Sequence, residues 1–162
     1  MRESPRIAQL SASVLEGHPW HASSVAGVLR GITADEAMAR PLKDCHTIIE
    51  IVLHLTSWAE EVRARLDGKP AGTPTTGNWP SPVRVAATNW ADARKGLLAA
   101  YRALEDTIRR QPDAKLDRPV NDPRAPSGLG DTVYATAHGI IDHAAYHAGQ
   151  IAMLKKAIRS AR

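Results

Sequence analysis

The chain contains no phenylalanine and a single cysteine, and aromatic residues make up only 4% of its 162 positions. Without phenylalanine, a core must rest on Ala, Leu, Ile and Val with four Trp, a composition suited to closely packed helices. The lone Cys45 excludes an intrachain disulfide framework and fits a reducing compartment. No apolar run approaches the roughly 20 residues that span a bilayer. The opening Arg2-Glu3-Ser4-Pro5-Arg6 leads into an amphipathic stretch rather than a long apolar one, so no signal peptide is expected and a cytoplasmic protein is the default. The sequence has no GxSxG, P-loop or GxGxxG motif, which weighs against serine hydrolase, NTPase and dinucleotide-binding readings.

Charge adds a further exclusion. The net charge is +4 and the pI about 9.5, but the positive residues are scattered, apart from Lys155, Lys156, Arg159 and Arg162 near the C-terminus. Cations at a helix C-terminus are favoured by the helix dipole, and no aromatic residues interleave with them as a base-stacking platform. Neither nucleic acid nor a membrane is therefore an expected partner.

What is present is helical periodicity. A chain of this length buries roughly 68–70% of its unfolded surface, enough for one core, and residues 1–162 are expected to form a single domain. Ile7, Leu10 and Val14 mark one helix face, broken by Gly17-His18-Pro19. A second piece carries Val25, Val28 and Leu29 and stops at Gly31. Thr33 with Glu36 three residues later predicts a capping box for a short helix through Ala39. Beyond Pro41, Asp44 is the expected cap of a long helix to about Leu66, with Ile48, Val52, Leu55, Ala59, Val62 and Leu66 as its apolar stripe and Asp67-Gly68 as its stop.

Residues 68–82 form a loop rich in Gly, Pro and Thr whose single large residue is Trp79; such a loop either pins a crossover to the core or carries substrate contacts. The next helix is expected to begin near Ser81-Pro82, with Val83, Ala86, Trp90, Ala93, Leu97, Tyr101, Leu104 and Ile108 facing inward, and to end at Gln111-Pro112. Residues 112–130, rich in proline, read as irregular. The last helix is expected from about Asp131 to about Ser160. Three long helices and a broken first one predict an all-α, antiparallel four-helix bundle.

Chemistry is concentrated in the last helix. Four helical residues turn through about 400°, so His143 and His147 share one face within about 40°. Ile140, Ala144, Ile151 and Leu154 define the inward side. His147 falls within about 20° of Ile140 and His143 within about 60°, while His138 and Asp142 fall opposite and are expected to face solvent. Gln150 lies at the border of the same face. Burying two imidazoles costs free energy unless their nitrogens find partners; a metal ion or hydrogen bonds would both serve, and spacing does not choose between them. The Glu that follows the first His in zinc proteases is replaced by Ala144, which argues against a zincin peptidase. Upstream, His54 lies at the edge of its helix's apolar stripe, one turn after Glu50 and one turn before Trp58. It reads either as a half-exposed residue packed on Trp58 or as a third ligand with Trp58 walling the site. Glu50 can be a ligand, an acceptor behind a ligand, or a solvated carboxylate, the last being favoured. Cys45, near a helix start, His18 and His21, flanking a break, and Tyr146, facing away from the core, are weaker candidates.

The run HxxxHxGQI at His143–Ile151, the upstream His54-Leu55 step before Trp58, and the opening Pro19-Trp20-His21 with the Thr33 turn and Pro41 behind it together resemble the DinB/YfiT-like superfamily over nearly the whole chain. The resemblance implies an up-down-down-up four-helix bundle with a long crossover and homodimer formation. It implies a divalent metal held by His54, His143 and His147. Relatives with known activity include thiol-dependent transferases and isomerases that use a low-molecular-weight thiol such as bacillithiol or mycothiol. Three neutral imidazoles and an open position fit catalytic rather than structural zinc, and imidazole also suits nickel and iron. Gln150, Trp58 and Glu50 are then candidates for the shell around the ligands. The expected function is metal-dependent small-molecule transfer, and a non-catalytic metal-binding or interaction bundle is the alternative.

Overall fold

The computed structural model describes residues 2–82, 90–125 and 131–161, and everything said below concerns these. They form α1 (Glu3–Leu15), α2 (Val25–Leu29), α3 (Ala34–Met38), α4 (Ile48–Leu66), α5 (Trp90–Arg110) and α6 (Val133–Ser160), with one 3-10 turn at Asp113–Lys115. Among the described residues the only extended pairing is an isolated bridge between Pro119 and Thr132. The expected start of α5 near Ser81-Pro82, with Val83 and Ala86, falls on a stretch that runs outside the described residues.

The helix ends follow from local chemistry. Thr33 accepts from the Glu36 amide while Glu36 accepts from the Thr33 amide, so both orphan donors are satisfied and α3 begins where the sequence predicts. The same reciprocal pair recurs at Thr47 and Glu50, and it starts α4. Asp44 is therefore not the cap; it sits at φ 62°, in a left-handed turn before the helix. Two positive-φ glycines, Gly31 after α2 and Gly68 after α4, close those helices as expected.

The long helices pack in a ring, α1 against α5, α5 against α4, α4 against α6, and α6 against α1. Contacts between ends set their directions. Gln111, just past α5, donates to the Leu66 carbonyl at the end of α4 (3.0 Å), so these two helices end together. Ser4, at the start of α1, bonds the Gln111 carbonyl (2.8 Å), so α1 begins where α5 finishes. Arg159, at the end of α6, reaches the Gly31 carbonyl, and the Ile32 carbonyl accepts from the Trp90 indole at the start of α5. α6 thus ends where α5 begins.

The predicted stripes are buried in α4 (Ile48, Val52, Leu55, Ala59, Val62, Leu66), in α5 from Trp90 to Ile108, and in α6 (Ile140, Ala144, Ile151, Leu154). α1 differs. Leu10 is 44% exposed, and Ser4, Ile7, Ala8, Ser11, Val14 and Leu15 form the buried face. The serines are acceptable there because each has a partner; the Ser11 hydroxyl donates to the Glu105 carboxylate on α5 (3.3 Å).

Glu105 yields a first prediction. Burial raises its pKa, opposed by the Ser11 hydrogen bond and by Arg109. A raised folded-state pKa favours the protonated carboxyl, so the contribution to stability is full below the ordinary value of 4.5 and is lost as pH rises through the folded value. Glu105→Gln keeps the shape and the acceptor without the charge. Its melting temperature should exceed that of the unsubstituted protein at pH 7, and the gap should close as pH falls toward 4.5. Thermal melts across that range test this, and a gap that ignores pH would refute it.

Candidate metal centre

α4 carries two stripes. The apolar one faces the core. The second, His54, Ser57, Trp58, Glu61 and Arg65, follows the three- and four-residue spacing of one helix face and binds the loop after α4 back along its length. Arg65 and Glu61 form an ion pair (3.0 Å) and hold the Gly72 carbonyl and amide (2.8 and 2.7 Å). Ser57 bonds the Thr76 hydroxyl and the Gly77 carbonyl. The Trp58 indole donates to the Asn78 side chain (2.8 Å), and His54 Nδ1 donates to the Asn78 backbone carbonyl (2.5 Å). The segment 68–82 is therefore a strap that runs back along α4 from Arg65 to His54, and Trp79 is the residue it delivers.

Under this strap the three histidines meet. His54 Nε2 lies 2.9 Å from His143 Nε2, and His147 Nε2 lies 3.0 Å from the same atom. All three ligand atoms fall within 4.8 Å of one another. His54 and His147 are each 4% exposed, and His143 is half-buried. The wheel's placement of His143 and His147 on the core side agrees with this. His54, expected at an edge, is instead buried, because the strap covers it.

The protonation pattern follows from the partners. A backbone carbonyl can only accept, so His54 carries its proton on Nδ1 and presents a lone pair at Nε2. His147 Nδ1 lies 2.6 Å from Gln150 Oε1, so Gln150 holds this ring in the same tautomer. Burial pushes the His143 pKa down to about 4, helped by His147 and His54. Burial likewise lowers His54, with His46 adding to it and the Asn78 bond opposing. His147 is lowered by burial against the Gln150 bond. All three imidazoles are neutral at pH 7. One proton at His143 Nε2 can serve only one of the two lone pairs that face it, so hydrogen bonding leaves this cluster short of donors. A metal ion meets the need of all three. The observed separations approach the spacing of about 3.3 Å that tetrahedral Zn–N bonds of about 2.0–2.1 Å require. The residues present fit a divalent metal.

Aromatic rings fix the cluster from outside. Trp79 lies between His46 (centroids 3.5 Å apart, 11° between planes) and His54 (3.8 Å, 12°). Trp58 stands edge-on, 6.4 Å from both His54 and His143. A cavity of about 810 Å³ opens onto all three histidines.

Other candidates separate clearly. Glu50 does not reach the histidines: it caps α4, and Arg40 holds both its oxygens (3.0 and 2.9 Å). Burial raises its pKa, but the Thr47 amide and hydroxyl, Arg40 and His46 together outweigh this and leave it lowered. It is thus neither free in solvent nor beside the cluster. Cys45 is exposed, its carbonyl bonded by Arg40, and its side chain lies on the cavity wall. Tyr146 is 64% exposed at the cavity rim, with its ring 5.1 Å from His147. His18 and His21 are exposed. None of residues 112–125 lines the cavity; that segment pairs with Ala71 and with the start of α6. Asp142 is exposed as expected, but His138 is half-buried against the α1 side, its ring 4.3 Å from Tyr134, and its Nε2 is buried without a partner among the described residues. It still points away from the cluster, so His138→Ala should leave metal content unchanged by elemental analysis. Loss of metal in that variant would show that the assigned ligands are wrong.

Sequence reasoning missed His46 and Asn78, and it singled out Trp79 as the loop's large residue without the ring it packs on. The signal for two of them lay in the second stripe of α4, whose polar and aromatic residues needed partners outside the core.

Among the described residues, no helix is long and apolar enough to cross a membrane. Comparison with curated proteins and with solved structures gives no match. A family model does match, across most of the chain: the DinB superfamily model covers residues 20–151, which include the strap and every histidine of the cluster, and the chain belongs to that superfamily.

Proposed function

We propose that His54, His143 and His147 hold one divalent metal ion, zinc in the first instance, and that the protein is a metal-dependent transferase acting on a small thiol and an electrophilic acceptor. The helices would then form an up-down-down-up bundle with the strap as its crossover. The observation that carries the reading is the convergence of three neutral Nε2 atoms at the floor of an open cavity. A closed, four-ligand structural site would need a fourth protein donor, and among the described residues the cluster has three.

A metal bound there supplies a Lewis acid that lowers the pKa of a coordinated thiol or water toward neutrality. The protein's own residues supply the rest. Asn78 and Gln150 keep the Nδ1 protons on the outer side of His54 and His147, so both lone pairs stay directed inward. Burial keeps the rings neutral at physiological pH. The apolar walls of the cavity limit water beside the reacting atoms. The thiol sulfur would attack the electrophilic carbon, the acceptor's leaving group would depart with the bonding electrons, and the thiol proton would pass to solvent.

The test is a thiol-transfer assay with 1-chloro-2,4-dinitrobenzene and a panel of small thiols. Zinc-loaded protein should release chloride faster than the buffer, and chelator treatment should remove the difference. Equal rates for zinc-loaded protein and the His147→Ala variant across the panel would favour a metal-binding bundle without this activity.

A further inference from the structure

The wall of the cavity has a definite chemical character. Its lining is more apolar than polar, and Leu42, Ile51, Trp79, Tyr146, Met153 and Leu154 are its large apolar side chains. Leu42, Trp79, Tyr146 and Met153 are 47%, 37%, 64% and 67% exposed, so their apolar surfaces face the opening and are not consumed by the core. The chain has 21 lysines and arginines, yet none among the described residues lines this cavity. Arg40, bonded to the wall residue Cys45 through its carbonyl, is also held by the Glu50 carboxylate. Among the described residues the one carboxylate on the wall is Asp44, which is exposed. His46, on the same wall, is stacked flat on Trp79. An anionic tail entering here would be desolvated against apolar groups with no cation to meet it. Tyr146, Gln150 and Met153 lie one above another on α6, so two exposed apolar side chains flank the Gln150 that holds His147. The volume falls within the range of small-molecule sites, about 300–1,000 Å³.

From this lining we propose that the cavity takes an uncharged, largely apolar small molecule, the size of a substituted aromatic ring, with its reacting end at the three histidines. The proposal rests on the metal-dependent reading above and names its substrate class. A molecule whose far end carries a carboxylate is rejected at the wall formed by Leu42, Met153 and Asp44.

Three matched thiols test this by calorimetry on zinc-loaded protein carrying Cys45→Ser, which prevents mixed disulfides. 2-Mercaptoethanol offers the thiol without a ring, benzyl mercaptan has the ring, and 4-(mercaptomethyl)benzoate adds a remote carboxylate to it. Benzyl mercaptan should bind at least about tenfold tighter than either of the others. Met153→Glu, a change at an exposed position, should weaken benzyl mercaptan about tenfold while zinc content stays the same. Equal affinities across the three thiols, or an indifferent Met153→Glu, would overturn the inference. Metal-free protein, titrated with benzyl alcohol and with 4-(hydroxymethyl)benzoate, separates the cavity from the metal. Preference for the alcohol without any zinc uptake sinks the metal reading and leaves the cavity assignment standing. Zinc uptake without such a preference sinks the cavity assignment alone.

Discussion

His147→Ala protein should carry almost no metal, against about one equivalent per chain in the unsubstituted protein purified alongside it. The reasoning starts from ligand number. Three imidazoles hold a divalent ion because their lone pairs converge, and two of the three convergent distances run through His143. Removing His147 leaves two ligands on different helices, and a two-ligand site exchanges its metal with buffer during purification. The loss cannot be attributed to collapse of the fold. His147 makes its hydrogen bond to the neighbouring Gln150, and the buried stripe Ile140, Ala144, Ile151 and Leu154 that holds α6 in place is untouched. Circular dichroism should therefore be unchanged while metal content falls. Full retention of metal would refute the assignment of His147.

Trp79→Ala should weaken metal affinity by about 10–100-fold, the range found when groups that orient ligands are removed. Trp79 is not itself a ligand. It stacks on the His54 ring at 3.8 Å and is itself backed by His46, so it fixes the plane in which the His54 lone pair lies. Without it, the ring can turn about its bond to Asn78 and lose its aim at the cluster. Trp79 is 37% exposed, so stability should fall little. Metal loading should also alter the tryptophan fluorescence of the unsubstituted protein and alter it much less in Trp79→Ala. Trp79→Phe, which keeps a flat ring, should recover part of the affinity. An unchanged dissociation constant in Trp79→Ala would show that the stack is incidental.

The parts of this site that sequence made legible are those that periodicity controls. His143 and His147 lie four residues apart on one helix, so their shared face and their inward direction follow from 3.6 residues per turn. The same rule placed Gln150 beside them, where it meets His147 Nδ1. His54 was the ambiguous member, because burial by a loop leaves no mark in a helix's own period. Asn78 and His46, and the ring that Trp79 meets, lay beyond reach for the same reason: a loop's path is set by side chains on a different element. Thr47 was passed over for a different cause. The Thr-x-x-Glu signature that correctly started α3 at Thr33 is repeated at Thr47 with Glu50, and reading it twice would have both moved the cap from Asp44 and removed Glu50 from the candidate ligands. His138 shows the converse limit. The wheel correctly turned it from the core stripe of α6, but α1 packs against that flank and half-buries it. Direction relative to one helix does not determine exposure when several helices surround it.

Anomalous diffraction from crystals of zinc-loaded protein, recorded on both sides of the zinc absorption edge, tests the central claim most directly. The account predicts one peak per chain, at about 2.0–2.1 Å from Nε2 of His54, His143 and His147, with a further position open toward the cavity. A peak elsewhere, a fourth side-chain ligand closing the site, or no peak at the three histidines would contradict it.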